Sequence, residues 1–295
     1  MMDWLAENMG LNLLQAVGLL ACSPLVAGII GKTKAFLQKR QGASVLQEYF
    51  DLWKWWRKPT ILTKYTSWIF LAAPVIYFLT SFLAAMMVPR LLAGGFGWGD
   101  AFVFVYILAL GRFFMTLSSL DSATAFGGMG GSREIYVSVL VEPAVMLSVL
   151  VNAMRYHSTF LSQMAMDYSG FFFTVPAVLS CVAFFLVILA ENCRLPVDNP
   201  DTHLELTMIH EGMTLEYSGR YLTLIHLGSM LKLLVFLHLF SVLYLPIAVP
   251  VVLKVLGSAV LVGVVETLNN KMRLFKVRVY LAAAVILLAA AIVAE

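Results

Sequence analysis

Residues 171–190 read FFFTVPAVLSCVAFFLVILA, twenty positions without one charged side chain. They run straight into AENCRLPVDNPDTHLELTMIHEGMTLEYSG (190–219), which holds six of the 17 acidic residues of the 295-residue chain. Twenty helical residues reach across the ~30 Å hydrocarbon layer of a bilayer. Lipid offers no partner to an open backbone hydrogen bond, so a run of this kind must be helical. The acidic stretch that follows therefore starts at the mouth of a membrane helix.

The same pattern recurs along the chain. Hydrophobic residues make up 61%, charged residues 13%, and the mean hydropathy is +0.87. A soluble chain carries roughly twice that charge. Apolar periodicity predicts eight spans, at 11–31, 68–90, 101–120, 135–154, 171–192, 222–245, 247–267 and 277–294, forming one all-α transmembrane domain over 1–295. The start MMDWLAENMG carries Asp3 and Glu7 where a secretory signal needs basic residues, so no cleaved leader is expected. Fifteen Lys and Arg residues fall on one side of this plan and three (Arg90, Arg155, Lys254) on the other. The basic side is expected in the cytoplasm, with both termini outside. Between the first two spans, residues 42–58 place Val45, Tyr49, Leu52, Trp53 and Trp56 on one helical face. That face predicts an amphipathic helix in the headgroup plane, and it reads equally as a lipid anchor or as a contact for a partner subunit.

Several catalytic signatures are absent. HEGMT (210–214) ends in threonine where a zinc protease needs its second histidine, and GGMGGSRE (127–134) lacks the lysine of a phosphate loop. Those glycines read as a flexible turn before the fourth span. Cys22, Cys181 and Cys193 have no metal-ligand spacing. His226 and His238 read as packed neutral side chains.

What remains is charge at membrane depth: Arg112, Glu142, Glu191, Lys232 and Glu266. A charge at the bilayer centre costs at least about 2.5 kcal/mol, so each must face a bundle interior or water. Glu191 and Glu266 could instead snorkel to an interface, and Arg112 could pair with Glu142 or Asp121. A carboxyl group raised by burial and lowered by a nearby cation exchanges protons near neutral pH, and a row of them is a conduction path. The acids of 191–216 would form the mouth of that path or a docking surface for a basic partner.

The stretch AENCRLPVDNPDTHLEL…EYSG resembles the A-E-x-x-R-x-P-F-D…E…E-Y-S-G pattern of the H-type membrane subunits of respiratory complex I. GSREIYVSVLVEP is similar to that family's fourth helix, with Arg133 and Glu142 in register. VLQEYFDLWK, RFFMTLSSLDSATAF and HEGMTLEYSG resemble its hydrogenase branch, the membrane subunits of formate hydrogenlyase and of energy-converting nickel–iron hydrogenases. The resemblance implies a multi-pass anchor of a prokaryotic inner membrane that catalyses nothing alone. A nickel–iron (NiFe) centre and iron–sulfur clusters would lie in partner chains, a large and a small peripheral subunit contacting loop 193–221. Antiporter-like subunits would flank the chain in the bilayer, and no nucleic acid is involved. Glu142, Glu191, Asp198, Asp201, Glu205, Glu211 and Glu216 fall on or beside the family's proton path, to which membrane-depth charge adds Lys232 and Glu266. Arg112, Asp121, Arg133 and Arg194 would line the cavity or meet the partner. Lys39-Arg40-Gln41-Gly42-Ala43 stands where the family shows Arg-Arg-Gly-Pro, and Val197 replaces a phenylalanine. Both departures weaken a quinone site, which remains an alternative beside a stand-alone ion-coupled transporter.

Overall fold

The computed structural model describes residues 2–62, 66–90, 99–166, 174–199, 208–246 and 249–295. Eleven helices follow in order among them: α1 (Met2–Leu37), α2 (Gln47–Arg57), α3 (Trp68–Met87), α4 (Ala101–Asp121), α5 (Ala125–Tyr156), α6 (Leu161–Met166), α7 (Val175–Glu191), α8 (His210–Thr214), α9 (Gly219–Tyr244), α10 (Val251–Leu268) and α11 (Leu274–Ala294). Seven are long and apolar enough to cross a membrane. With the 17-residue α7, they make up the eight expected spans. Large apolar side chains such as Leu14, Val139 and Ile286 stand about two-thirds exposed around the bundle, where only lipid is a favourable solvent.

Helix α9 is the hub. Every residue from Leu231 to Phe240 is buried, and the helix packs against α1, α2, α3, α7 and α10. A helix that is apolar on all sides belongs inside a bundle rather than at its rim. Phe236 meets Phe104 edge-on at 5.8 Å, and Phe240 and Tyr244 close around Phe184. Asn152 of α5 satisfies the buried Tyr244 hydroxyl at 2.6 Å.

Two expectations change. The glycine run does not form a flexible turn: residues 127–134 are helical, and the fourth span starts at Ala125 rather than 135. Thr124 caps it, its Oγ1 accepting from the Gly127 N–H at 3.2 Å. The glycines serve close packing here. A Cβ on Gly130 would lie 2.9 Å from the Gly212 carbonyl carbon of α8, while one on Gly128 would meet nothing within 4 Å. Gly130→Ala is therefore expected to destabilise the protein by about 1–3 kcal/mol, and Gly128→Ala to stay within about 0.5 kcal/mol of wild type. Thermal unfolding in detergent separates the two.

The second change concerns the amphipathic segment, expected over 42–58. The helix spans only Gln47–Arg57, and its packed side keeps Tyr49 and Leu52 of the predicted face but takes Trp55 in place of Trp53 and Trp56. Leu52 is buried, the Tyr49 hydroxyl donates to the Ala21 carbonyl of α1, and Trp55 stacks on His226 of α9 at 4.6 Å. Trp53 and Trp56 stay exposed. Contact with α1 and α9 thus takes up part of the predicted face and leaves its two outer tryptophans exposed.

Candidate functional site

Helix α7 ends early. Its 17 residues span about 26 Å, less than the hydrocarbon thickness. Its last residue, Glu191, consequently lies beside Lys232, thirteen residues into α9 and about 20 Å from that helix's start. Irregular backbone at such depth persists only when buried in protein or beside water. Burial holds here: the turn after Glu191 runs through Cys193 at φ +48°, Arg194 N–H closes on the Leu189 carbonyl at 2.8 Å, and Leu195, Val197 and Asp198 behind it are buried. Residues 191–194, α8 and the first turns of α9 then border a cavity of about 520 Å³, completed by α1, α2, α3, α4 and α5.

Four cations (Lys34, Arg112, Arg194, Lys232) and six carboxylates (Glu48, Asp51, Glu134, Glu191, Asp198, Glu211) are among the described residues lining it. At the centre stands Arg112, nine residues before the end of α4 and 7% exposed. It bonds the Glu191 carboxylate directly and lies 3.6 Å from both Glu134 and Glu142. Lys232 Nζ reaches Glu191 Oε1 at 2.8 Å and the Glu191 carbonyl at 2.9 Å. The Cys193 thiol sits 3.7 Å from Glu134. One guanidinium thus gathers three carboxylates from two helices, with a second cation behind them.

A second set of pairs ties the connecting segments together. Glu266 joins Lys34 of α1 at 3.0 Å and Arg194 at 3.3 Å. Asp198 accepts the N–H groups of Asn199, Ile209 and His210 at 2.9, 3.2 and 3.2 Å and pairs with Lys271 at 2.7 Å. Arg133 donates to the Met208 carbonyl at 3.0 Å. Near the end of this segment, Tyr217 stacks on Phe70 at 4.0 Å. Burial holds its phenol above the usual range, and its hydroxyl donates to the Phe70 carbonyl.

The profile of the NADH dehydrogenase family matches residues 11–294. The chain belongs to that family, as a relative of the complex I membrane subunit. This family member is 35% identical to hydrogenase-4 component C of Escherichia coli (strain K12) over 244 residues, 79% of this chain and 74% of that protein. It is 32% identical to formate hydrogenlyase subunit 4 of the same organism, covering 79% and 76%. A chain in the structure of the membrane-bound sulfane sulfur reductase, an archaeal respiratory membrane complex, superposes with a TM-score of 0.82 at 19% identity. That match covers 98% of this chain and all of the other. The family fold is therefore a multi-pass membrane bundle of a respiratory or hydrogenase complex.

Among the residues singled out from sequence, the fold brings Arg112, Glu142, Glu191 and Lys232 into one cluster. Arg194, Asp198 and Glu211 join the cavity wall, and Glu266 meets it through Lys34 and Arg194. Neither Glu191 nor Glu266 snorkels; both are at least 95% buried. Asp121 stands apart: its carboxylate accepts the Ser67 N–H at 2.8 Å, capping the entry to α3 rather than pairing with Arg112. Glu216 is half-buried outside the described lining, and Asp201 and Glu205 lie outside the described residues. Glu142 is 44% exposed and outside the described lining, and reaches the cavity through Arg112.

Sequence reasoning misses Glu134 and Lys34. The signal for Glu134 is present in this family member's own periodicity. Gly127, Gly130, Glu134, Val137, Val141, Ala144 and Ser148 form the buried stripe of α5, whereas Glu142 is out of phase with it. No three His, Cys, Asp or Glu side chains among the described residues converge as metal ligands would, and the cysteines sit apart on α1, on α7 and in the turn after it.

Proposed function

We propose that this chain is the proton-translocating connector of a hydrogenase-like complex in a prokaryotic inner membrane, with its basic end in the cytoplasm. The observation that carries the reading is the Arg112 cluster, which links the cavity to a half-exposed carboxylate at membrane depth. Protons would enter through the cavity, exchange on Glu191 and Glu134, and leave by Glu142. A half-exposed carboxylate in hydrocarbon is expensive unless protein or water covers it. A flanking antiporter-like subunit would cover Glu142 and take the proton onward. The segment 193–221 would meet a large and a small peripheral subunit that hold the nickel–iron centre and iron–sulfur clusters. Redox change there would move the pinned segment and shift the balance of charge around Arg112.

The test uses the intact complex in inverted vesicles. Glu191→Gln and Glu142→Gln, made separately, are each expected to lower proton uptake by about two orders of magnitude while the complex still assembles. Wild-type translocation in both variants overturns the path. Dependence of the purified complex on added quinone would instead assign the cavity to the quinone reading. Co-purification of a large chain with two C-x-x-C pairs supports the nickel–iron assignment.

A further inference from the structure

The outward face of α2 is not explained by a proton path. Leu46, Phe50, Trp53, Lys54 and Arg57 recur at helical spacing, and all are exposed. Both carboxylates of the helix, Glu48 and Asp51, lie on the opposite side and line the cavity. The helix has therefore sorted its charges: acids inward, cations outward among aromatic rings. The Arg57 guanidinium sits 4.6 Å from the centre of the Trp53 ring. Arg220 sits 5.6 Å from the centre of the Trp56 ring.

Arg220 is brought there from far along the chain by a specific tether. Ser218 Oγ accepts the Ile61 N–H at 2.8 Å. Gly219, at φ +58°, lies so close that a Cβ would be 2.7 Å from the Lys58 carbonyl oxygen. Only glycine suits both the left-handed backbone and that approach. The result is a patch with Lys54, Arg57, Lys58 and Arg220, none of which has a carboxylate partner among the described residues.

We propose that this patch binds the phosphate of an anionic phospholipid in the leaflet at the basic end of the bundle. Indole rings favour the headgroup layer, where an apolar body and a wet edge are both satisfied. Guanidinium groups held at ring faces present forked donors matched to phosphate oxygens. The absence of any acid on the described face gives it the charge complementary to such a lipid rather than to a zwitterionic one. Exposed Leu46, Ile61 and Trp68 continue the apolar rim towards the membrane-facing helices.

The experiment places the intact complex in nanodiscs of dioleoylphosphatidylcholine containing a minor fraction of brominated dioleoylphosphatidylglycerol, or the same fraction of brominated phosphatidylcholine. Bromine quenches nearby tryptophan. Stronger quenching by the anionic lipid is expected, with the preference falling about fivefold per cation removed and about a hundredfold in Lys54→Gln/Arg57→Gln/Arg220→Gln, at roughly 1 kcal/mol per cation. All three side chains are exposed, so the variant is expected to fold, and its unchanged melting profile checks that. Arg57→Lys should retain most of the preference. Equal quenching by both lipids, or a preference that survives the triple substitution, overturns the proposal. So does a patch shielded from both lipids and cross-linking to a neighbouring protein chain.

Discussion

Arg112→Ala is expected to lower the stability of the protein by about 3–5 kcal/mol, a drop in the detergent melting midpoint on the order of 10 °C. The side chain is the cation nearest to Glu134 and Glu142 and one of two on Glu191. Its removal leaves buried carboxylates that must take up protons or be left unpaired. Lys232 still neutralises Glu191, but its ammonium pairs with no second carboxylate among the described residues. Arg112→Lys keeps the charge and loses the planar fork, so it should hold Glu191 and release the acids at 3.6 Å. An intermediate stability with strongly impaired proton movement is expected for it. Adding Glu134→Gln to Arg112→Ala should restore about 1–2 kcal/mol, because the unpaired acid is then gone. Equal stability of Arg112→Ala and wild type would show that the cluster is not energetically coupled. Melting curves of the four proteins check this directly.

Asp198→Ala is expected to be nearly as severe, about 3–5 kcal/mol, for a different reason. The carboxylate, 2% exposed, holds three backbone N–H groups from both ends of the 198–210 segment and pairs with Lys271. Alanine leaves those donors and one cation without their acceptor. Asp198→Asn retains a carbonyl oxygen for the N–H groups and loses only the ion pair, at about 1–2 kcal/mol. If Asp198 serves as a pin, the asparagine variant assembles and keeps proton translocation, and the alanine variant releases the 208–218 segment to proteolysis. If it is itself a proton carrier, the asparagine variant assembles and translocation fails. Limited proteolysis and vesicle uptake on the same preparations separate the roles.

The two cases also show where legibility ends. Arg112, Lys232, Glu191 and Glu266 are readable because a charge within an apolar run has few places to go. Their partners are not, since Arg112 and Glu191 are 79 residues apart and Lys34 and Glu266 are further still. Glu142 draws attention because it interrupts a span, and it reaches Arg112 from the half-exposed side of α5; Glu134, at the same 3.6 Å but on the buried stripe, goes unnoticed. In the sequence Asp198 is one acid among six; its three backbone donors exist only once the segment has folded back on itself.

Composition and hydropathy by themselves determined the class of the molecule, the number of spans and the uneven placement of basic residues. Those properties follow from transferring each segment between water and lipid, and transfer free energy is local to a segment. Only the tertiary structure decided that α7 stops short, that α2 turns its acids inward and that Arg112 gathers three carboxylates. Such arrangements depend on which helices touch and at what height, set by packing between residues remote in sequence, and a one-dimensional pattern holds no record of that.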